Sequence, residues 1–428
     1  MIAFEPVRKA FGKWLVLPDE DVLDVAAATL VSNRLKCAPV WLLLIAPPSG
    51  MKSELIESLS QLSYVYALSD LTPNTLLSGA VGKGDENLSL ILQLDGKVLT
   101  FKDFTTILCK RAEHQDAIFA QLREVYDGQM SKAWGTRSMA WKGHVGLLAG
   151  CTEVIDARRA IHAQLGERFM FYRIPSENRE VVAHRALGNV NSRTEMKKEL
   201  SAAMFGCLKG LTNGVVPKPP TIPDEYKNTL VKLADLVTYG RVGIHRDWKE
   251  EVIEYVPHPE MPGRIVQTLA LLAQGLSLVR GRDRVTADDM RVVCKVAADT
   301  MFPTRRMLLA ELLKETSTIQ TRDLAERVGL PTRTVLRHME DLWVLKCLER
   351  LTDDEDEKVA IGDRVISLSR KRGPGGYTWK LTKDFREKLD LSSIFRHGKA
   401  STPTATPAAR KRGSSRSTKD KTCSAKPI

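Results

Sequence analysis

The strongest constraint on the fold is an alternation of short apolar runs with helical patterns over the first 175 residues. Each run has the length and side-chain content of a buried strand, and amphipathic stretches separate the runs. Strands that alternate with helices form a parallel sheet that helices cover on both faces. The sequence therefore predicts an α/β fold with a parallel five-stranded sheet. The runs are Val40–Ile45, Tyr64–Leu68, Val98–Phe101, Val145–Ala149 and Phe169–Ile174.

The chain is too long for one compact core, because its 428 residues exceed the usual size of a single domain. After residue 175 the strand patterns disappear and an all-helical region is predicted. A separate unit and a basic tail follow. The predicted divisions are an N-terminal helical segment (1–35), the α/β core (36–175), a helical lid (176–305), a third domain (306–395) and a tail (396–428).

Composition indicates an intracellular protein without a membrane anchor. The seven cysteines are scattered and form no CxxC pair, which is typical of a reducing compartment rather than a disulfide framework or a zinc site. The longest strongly apolar run, Val40–Ala46, is far shorter than the roughly 18–20 residues that a spanning helix needs. The first residues lack the apolar region of a secretory signal. We therefore expect a cytoplasmic protein.

The formal net charge of +12 is unevenly distributed. Residues 397–428 carry eight Lys or Arg against one acid, Asp420, and hold few large apolar side chains. Such a segment cannot offset its ordering entropy and is predicted to be disordered. A basic tail favours sequence-independent attraction to nucleic acid, although it can also serve only as a solubilising appendage.

The first apolar strand runs directly into a loop that resembles a phosphate-binding loop. The usual pattern is G-x-x-x-x-G-K-[ST]; its lysine reaches the β- and γ-phosphates and its hydroxyl holds Mg²⁺. Lys52 and Ser53 match, but alanine and methionine stand at the two glycine positions, so the loop must differ locally from the common one. A Pro-Gly turn without ligand is the alternative. The predicted nucleotide-binding residues are Ala46, Pro47, Pro48, Ser49, Gly50, Met51, Lys52 and Ser53.

A second strand, in the segment Lys97–Phe104, ends in Lys102 and Asp103. A carboxylate at a strand end could activate the attacking water and assist Ser53 in binding the metal. In the register of a Walker B strand, however, Lys102 stands where the magnesium-associated aspartate belongs. This departure weighs against ATP hydrolysis more than against nucleotide binding. The alternative to a catalytic carboxylate is an exposed Lys-Asp pair at the end of a strand.

A hairpin is predicted between Lys132 and Val145, because two tryptophan-containing segments flank a Gly-Thr-Arg-Ser turn. Arg137 lies at this turn. The next apolar strand ends in Gly-Cys-Thr, which places Thr152 where it could contact a γ-phosphate or the attacking water.

The order of these motifs, followed by GERF at 166–169 and by the helix that carries Arg264, resembles an AAA+ ATPase. The hairpin directly before the Thr152 strand narrows the resemblance to the clade of the minichromosome-maintenance helicases. The likeness extends over roughly residues 36–300 and includes a Thr286-x-x-Asp289 capping box in the lid. Phage and mobile-element proteins that join such a domain to a helix-turn-helix are similar.

The resemblance implies ATP and Mg²⁺ as ligands and a ring of six copies as the assembly. Arg168 of the GERF motif corresponds to an arginine finger that enters the neighbouring subunit's site. Arg264 corresponds to the sensor-2 arginine, and Thr152 to the polar sensor. Arg137 at the hairpin turn would contact DNA in the ring channel. A surface or salt-bridged position is the alternative for each arginine.

The third domain has the pattern of a winged helix-turn-helix. Thr321–Val328 is amphipathic and ends at Gly329, and Thr332 can cap a second helix whose apolar positions form one face. The polar face of that helix would read DNA, and a basic wing would follow it. A protein-docking role, which the acidic run Asp353–Glu357 would suit, is the alternative. The predicted DNA-binding residues here are Arg333, Thr334, Arg337, His338, Arg370, Lys371 and Arg372.

Two functions therefore follow from the sequence. The first is a ring ATPase that moves along single- or double-stranded DNA, or loads a helicase, in the replication of a mobile element, with other replication proteins as possible partners. The second is a nucleotide-switched DNA-binding regulator with slow or no hydrolysis. A phage-defence ATPase is also compatible with the motifs.

Overall fold

The computed structural model describes eleven segments of the chain: residues 4–35, 37–77, 89–134, 137–157, 168–212, 216–247, 253–315, 317–351, 357–361, 364–368 and 377–389. The basic tail, the wing residues Arg370, Lys371 and Arg372, and most of the acidic run after residue 352 lie outside the described residues. None of the helices in these segments combines the length and the hydropathy that crossing a bilayer requires.

The centre of the molecule is the predicted parallel sheet of five strands, in the order β2-β3-β6-β1-β7. All neighbours in this sheet are parallel, so the carboxyl ends of its strands meet at one edge. The α/β fold class is thus confirmed. The strands of this region are β1 (Trp41–Ile45), β2 (Val65–Leu68), β3 (Lys97–Phe101), β4 (Gln129–Trp134), β5 (Arg137–Lys142), β6 (Val145–Cys151) and β7 (Phe169–Arg173).

Four strands of the sheet, β1, β3, β6 and β7, are buried on both faces, which explains why they are continuous apolar runs rather than alternating ones, whereas the edge strand β2 is only partly buried. Along β1, Leu42 and Leu44 pack into one core, whereas Trp41, Leu43 and Ile45 pack into the other. The helix Ala112–Tyr126 covers the second face with the buried apolar side chains Ile118, Phe119, Leu122, Val125 and Tyr126. The other helices of the core are Lys52–Ser58, Thr105–Leu108 and Val154–Ala157, with a 3-10 turn at Leu90–Gln93.

Strands β4 and β5 pair antiparallel and form the predicted hairpin immediately before β6. Its base is anchored, because Met130 and Trp141 are buried in the core. The turn residues 135 and 136 lie outside the described residues. Arg137 is placed by its backbone as the first residue of β5, opposite Trp134.

Two helices, Glu5–Trp14 and Asp21–Ser32, precede the sheet and pack against the lid. Contact with the lid is close at Gly275, where an added Cβ would lie 2.6 Å from the carbonyl oxygen of Ala28. The side chain of Ser32 donates a hydrogen bond to the carbonyl of Leu271 on the same lid helix, at 2.8 Å. The N-terminal segment is therefore built into the body of the protein.

The lid consists of helices and one short ribbon. The ribbon, β8 (His245–Arg246) paired with β9 (Ile253–Tyr255), contradicts the expectation of an all-helical region. Two-residue and three-residue strands are too short to show a period in the sequence. The predicted capping box of Thr286 and Asp289 is confirmed. The lid helices are Arg179–Gly188, Arg193–Thr212, Asp224–Arg241, Gly263–Val279 and Ala287–Thr300, with a 3-10 turn at Val190–Ser192.

The last lid helix covers the edge strand β7. The hydroxyl of Thr300 accepts a hydrogen bond from the backbone N–H of Phe171 at 3.0 Å, and the carboxylate of Asp299 accepts one from the N–H of Arg173 at 2.9 Å. Edge-strand donors that would otherwise face solvent are thereby satisfied by side chains.

The third domain contains a three-helix unit and a small antiparallel sheet in the order β10-β14-β11. A separate hairpin, β12 paired with β13, lies between β11 and β14 in the chain. Sequence patterns did not indicate this hairpin. The elements are helices Pro303–Lys314, Thr321–Val328, Thr332–Val344 and Lys383–Leu389, and strands β10 (Ile319–Gln320), β11 (Leu348–Leu351), β12 (Glu357–Ile361), β13 (Arg364–Leu368) and β14 (Thr378–Leu381).

Candidate nucleotide and DNA sites

The loop after β1 has a strained backbone. Ser49 and Met51 adopt positive φ angles of 64° and 55°, which are unfavourable for residues with a Cβ. Gly50 is required by space, because an added Cβ would lie 2.8 Å from Cβ of Ala46 and 3.0 Å from the carbonyl oxygen of Pro47. Strain of this kind persists only where the surroundings enforce it, and it concentrates at ligand sites.

Lys52 turns back into this loop. Its ammonium group donates hydrogen bonds to the carbonyl oxygens of Ala46 (2.6 Å) and Pro47 (2.7 Å), and the residue is only 7% exposed. Burial lowers the pKa of Lys52, and the negative charge of Asp103 is the largest effect that opposes this shift. Two of the three N–H donors contact carbonyls, so the third is left for an anion.

A short hydrogen-bonded chain joins the ends of β3 and β6 beside Lys52. Asp103 accepts a hydrogen bond from the backbone N–H of Thr105 at 2.9 Å. The hydroxyl of Thr105 accepts one from the N–H of Thr152 at 3.0 Å and lies 3.1 Å from the Thr152 hydroxyl. Because β6 lies between β1 and β3, Thr152 is placed between the phosphate loop and Asp103.

Thr105 is a residue of this site that was not predicted from the sequence. The available signal was its position, since an Asp-Phe-Thr sequence at a strand-to-helix junction is typical of a side chain that bonds backbone N–H groups. Lys102, the predicted departure from the family pattern, lies 3.2 Å from the carboxylate of Glu57, on the helix that follows the phosphate loop. Glu57 also pairs with Lys197 at 2.8 Å. The Lys102 ammonium is therefore balanced by a carboxylate other than Asp103.

Gly150 allows these strand ends to approach one another. An added Cβ would lie 2.5 Å from the carbonyl oxygen of Lys102 and 3.3 Å from Cβ of Lys52. The carbonyl of Gly150 also accepts a hydrogen bond from the N–H of Phe104. A glycine here brings the phosphate-loop lysine next to the strand that carries Asp103.

Ser53 and Asp103, the predicted magnesium ligands, both have exposed side chains at this edge. Within the segments that the structure describes, no group of three or more His, Cys, Asp or Glu side chains could hold a metal by itself. Mg²⁺ commonly binds through one or two protein oxygens together with phosphates and water. A hydroxyl and a carboxylate at one sheet edge are compatible with that mode of binding.

The two predicted catalytic arginines meet at one carboxylate. The guanidinium of Arg168 lies 2.9 Å from the carboxylate of Asp127 and stacks over the ring of Tyr126. The guanidinium of Arg264 lies 3.6 Å from the other carboxylate oxygen. Arg168 is nearly buried and Arg264 is 43% exposed. No pattern in the sequence indicates Asp127.

This arginine pair, Arg168 and Arg264, lies at the amino edge of the sheet. Phe169, next to Arg168, pairs with Trp41 at the start of β1, whereas the phosphate loop follows Ile45 at its end. Five residues of strand separate the two positions, which corresponds to about 16 Å at ~3.3 Å per residue. The arginine pair is therefore at the opposite edge from the phosphate loop of the same chain.

The helix Thr332–Val344 has the predicted apolar face, with Val335, Met339 and Leu342 buried. Its polar face differs from the prediction. Arg333 is exposed, and Thr334 and Arg337 are half-buried. His338 is only 4% exposed, so the prediction that it faces solvent is wrong. Thr332 is the first residue of the helix and Pro331 precedes it, so Thr332 is not the cap.

The burial of His338 has a physical reason. The second half of this helix packs against the lid through charged groups, and Nδ1 of His338 lies 4.0 Å from the carboxylate of Asp341, which is itself buried. Only the first turns of the helix remain accessible, as is usual for a helix that presents its N-terminal residues to the major groove.

Comparison with known families bears on this domain. Residues 301–343, which hold the helices Pro303–Lys314 and Thr321–Val328 and all but the last residue of Thr332–Val344, match the family model of winged helix-turn-helix DNA-binding domains. The chain carries a winged helix-turn-helix domain. Thr332–Val344 is its recognition helix by position. A search of curated proteins finds no match to the chain.

We expect DNA binding by the winged helix to depend most on Arg333. If this exposed guanidinium contacts a base edge, Arg333→Ala will weaken binding to the preferred duplex by about 1–3 kcal/mol and binding to random duplex much less. Arg322→Ala is the matched control, because Arg322 is an exposed arginine on the preceding helix. Fluorescence anisotropy with both duplexes measures the difference.

Half-buried Arg337 should give a smaller effect than Arg333 in the same assay. If Arg333→Ala and Arg337→Ala both leave affinity and specificity unchanged, the recognition helix does not read DNA. The domain would then serve to dock a protein.

Proposed function

We propose that the chain is a ring-forming AAA+ ATPase that acts on DNA, similar to the minichromosome-maintenance helicases, in the replication of a phage or mobile element. The observation that supports this most directly is the placement of Lys52. A buried ammonium, held by two loop carbonyls beside Asp103, lies at the carboxyl edge of a parallel sheet. Ligands of open α/β sheets bind at this edge.

The residues at that edge have distinct roles in the proposal. Lys52 leaves the carbonyls of its loop and binds the β- and γ-phosphates of ATP. Ser53 and Asp103, together with phosphate oxygens, would hold Mg²⁺, and the ion would supply positive charge that offsets the charge of the phosphates. Asp103 orients the attacking water. Thr152, held by Thr105, contacts the γ-phosphate or that water, because its hydroxyl lies between the loop and Asp103.

The arginine pair acts on a neighbouring subunit. Because Arg168 lies about 16 Å from its own phosphate loop, as estimated from strand length, it cannot stabilise the transition state there. The amino edge of one copy facing the carboxyl edge of the next would supply the missing charge. Such head-to-tail contacts close into a ring.

The winged helix-turn-helix supplies DNA binding, and the hairpin with Arg137 supplies a second contact in the ring channel. A nucleotide-switched regulator with slow hydrolysis is the second candidate, which Lys102 favours because it replaces the expected metal-associated aspartate. The variant Asp103→Asn distinguishes the motor from the regulator. If the chain is a motor, this variant keeps ATP affinity and loses turnover by about two orders of magnitude or more.

Mixing two inactive variants tests the ring. Arg168→Ala should bind ATP normally and hydrolyse it poorly, because its guanidinium belongs to the neighbour's transition state. Added Lys52→Ala subunits should restore part of the activity, since mixed rings contain some interfaces with both groups intact. DNA-stimulated ATP hydrolysis over a range of mixing ratios measures this, with Arg168→Lys as the conservative control. No recovery at any ratio, together with monomeric sedimentation under ATP, would remove the ring from the proposal.

A further inference from the structure

The recognition helix is held by an arginine of the lid ribbon. Arg246, whose side chain is 7% exposed, donates hydrogen bonds from one nitrogen to the carboxylate of Asp341 (2.8 Å) and to the carbonyl oxygen of Arg337 (3.3 Å). A second nitrogen lies 3.2 Å from the carboxylate of Glu340. A single guanidinium therefore contacts three residues, Arg337, Glu340 and Asp341, on the helix face that packs on the lid.

A second arginine fixes the same carboxylate from the other side. Arg305, 1% exposed, lies 3.1 Å from Asp341 and donates hydrogen bonds to the carbonyl oxygens of Tyr239 (3.0 Å) and Val242 (2.5 Å). Burial alone would raise the pKa of Asp341, but Arg305 and Arg246 together hold it below its usual value. Asp341 is thus a charged group shared by the winged helix and the lid.

The segment 239–246 also reaches the arginine pair. Arg241, 7% exposed, donates a hydrogen bond to the carbonyl oxygen of Phe169 at 3.3 Å, next to Arg168 in the chain. Its guanidinium also forms an ion pair with Glu260, just before the helix that begins at Gly263 and carries Arg264. One short stretch of chain therefore contacts both the surroundings of the arginine pair and the recognition helix.

We propose that Arg246 is a positioning residue that couples nucleotide at the neighbouring subunit's site to the DNA affinity of the recognition helix. The inference rests on the proposed function, in which the arginine pair receives the neighbour's phosphates. An arriving phosphate attracts Arg264, the more exposed arginine and the one further from Asp127. Movement of Arg264 displaces Glu260 and Arg241, and segment 239–246 passes the shift to Arg246.

The experiment measures coupling rather than affinity alone. The full chain is titrated with a labelled duplex, with and without the slowly hydrolysed analogue ATPγS. Wild type should show a nucleotide-dependent change in DNA affinity within the usual range of about 5- to 150-fold. In Arg246→Ala the change should fall below about twofold, while ATPγS affinity stays the same, a result that a merely structural loss would not give.

His245→Ala is the matched control, since His245 is the exposed neighbour of Arg246 on the same strand. It should keep the wild-type coupling. Arg246→Lys is the second variant: it retains a charge near Asp341 but lacks the fork that reaches Arg337 and Glu340, and its coupling should be intermediate. If Arg246→Ala does not fold, the coupling measured in Arg246→Lys tests the inference instead.

The outcomes separate the inference from the function on which it rests. Wild-type coupling in Arg246→Ala, or in Arg246→Lys where Arg246→Ala does not fold, overturns the inference. It is also overturned if wild type binds ATPγS while its DNA affinity does not change, and in that case the ATPase proposal stands. If wild type binds no ATPγS, the proposed function fails, and the inference fails with it.

Discussion

Replacing Lys52 with alanine will abolish measurable binding and hydrolysis of Mg·ATP while the winged helix-turn-helix stays folded. Lys52 is the buried cation of the phosphate loop, and its two carbonyl partners are already in the same loop. Loss of one member of a buried charge pair costs about 2–5 kcal/mol, which corresponds to roughly 30- to 5000-fold in affinity. Calorimetric titration with ATP measures the binding, and a phosphate-release assay measures turnover.

Lys102→Ala is the control for this experiment. Lys102 lies on the neighbouring strand end, but its ammonium pairs with Glu57 and is 56% exposed, so its removal should leave ATP affinity nearly unchanged. Lys52→Met should lose ATP affinity as Lys52→Ala does. It should nevertheless unfold at a temperature similar to that of the wild type, because the substitution removes a charge that burial disfavours. Unchanged ATP affinity and turnover in Lys52→Ala would overturn the assignment of this loop.

Asp341→Asn will destabilise the domain pair of lid and winged helix by about 3–5 kcal/mol, the usual cost of removing one member of a buried ion pair. Two buried arginines, Arg246 and Arg305, would lose their shared counter-charge. Glu340→Gln, on the same helix and with the same partner Arg246, should cost under about 1 kcal/mol because Glu340 is partly exposed. Urea unfolding of both variants provides the comparison.

The same carboxylate predicts how stability responds to acid. The folded-state pKa of Asp341 is lower than its unfolded value of 3.8. Its stabilisation is therefore fully present above the unfolded pKa and is lost as pH falls through the folded pKa. Asp341→Asn should remove that part of the acid dependence. If Asp341→Asn and Glu340→Gln unfold at the same urea concentration, Asp341 does not hold the lid and the winged helix together.

The sequence predicted those features that depend on neighbouring residues. The five core strands, the hairpin before β6, the Thr286 capping box and the helix Thr321–Val328 follow from local periodicity and turn chemistry, and the structure contains all of them, with strand ends that differ by one or two residues. These signals lie within a few residues, where steric and hydrogen-bonding preferences act directly.

What the sequence could not predict depends on charges brought together by the fold. Lys102 was interpreted from its motif position, but Glu57 and Lys197 determine where its ammonium lies. His338 was expected to face solvent because no local pattern indicates that Arg246 covers that half of the helix. A helical period separates an apolar from a polar side, but it does not show which polar side chains a distant segment will bury.

The lid helix that covers β7 also limits how copies of this chain can associate. Open sheet edges invite strand addition, which joins molecules through backbone hydrogen bonds with little regard for sequence. At β7 the outward N–H groups of Phe171 and Arg173 are already bound by Thr300 and Asp299. Growth of the sheet from one molecule to the next is blocked on this side, so any contact between copies at this edge has to use side chains rather than backbone hydrogen bonds.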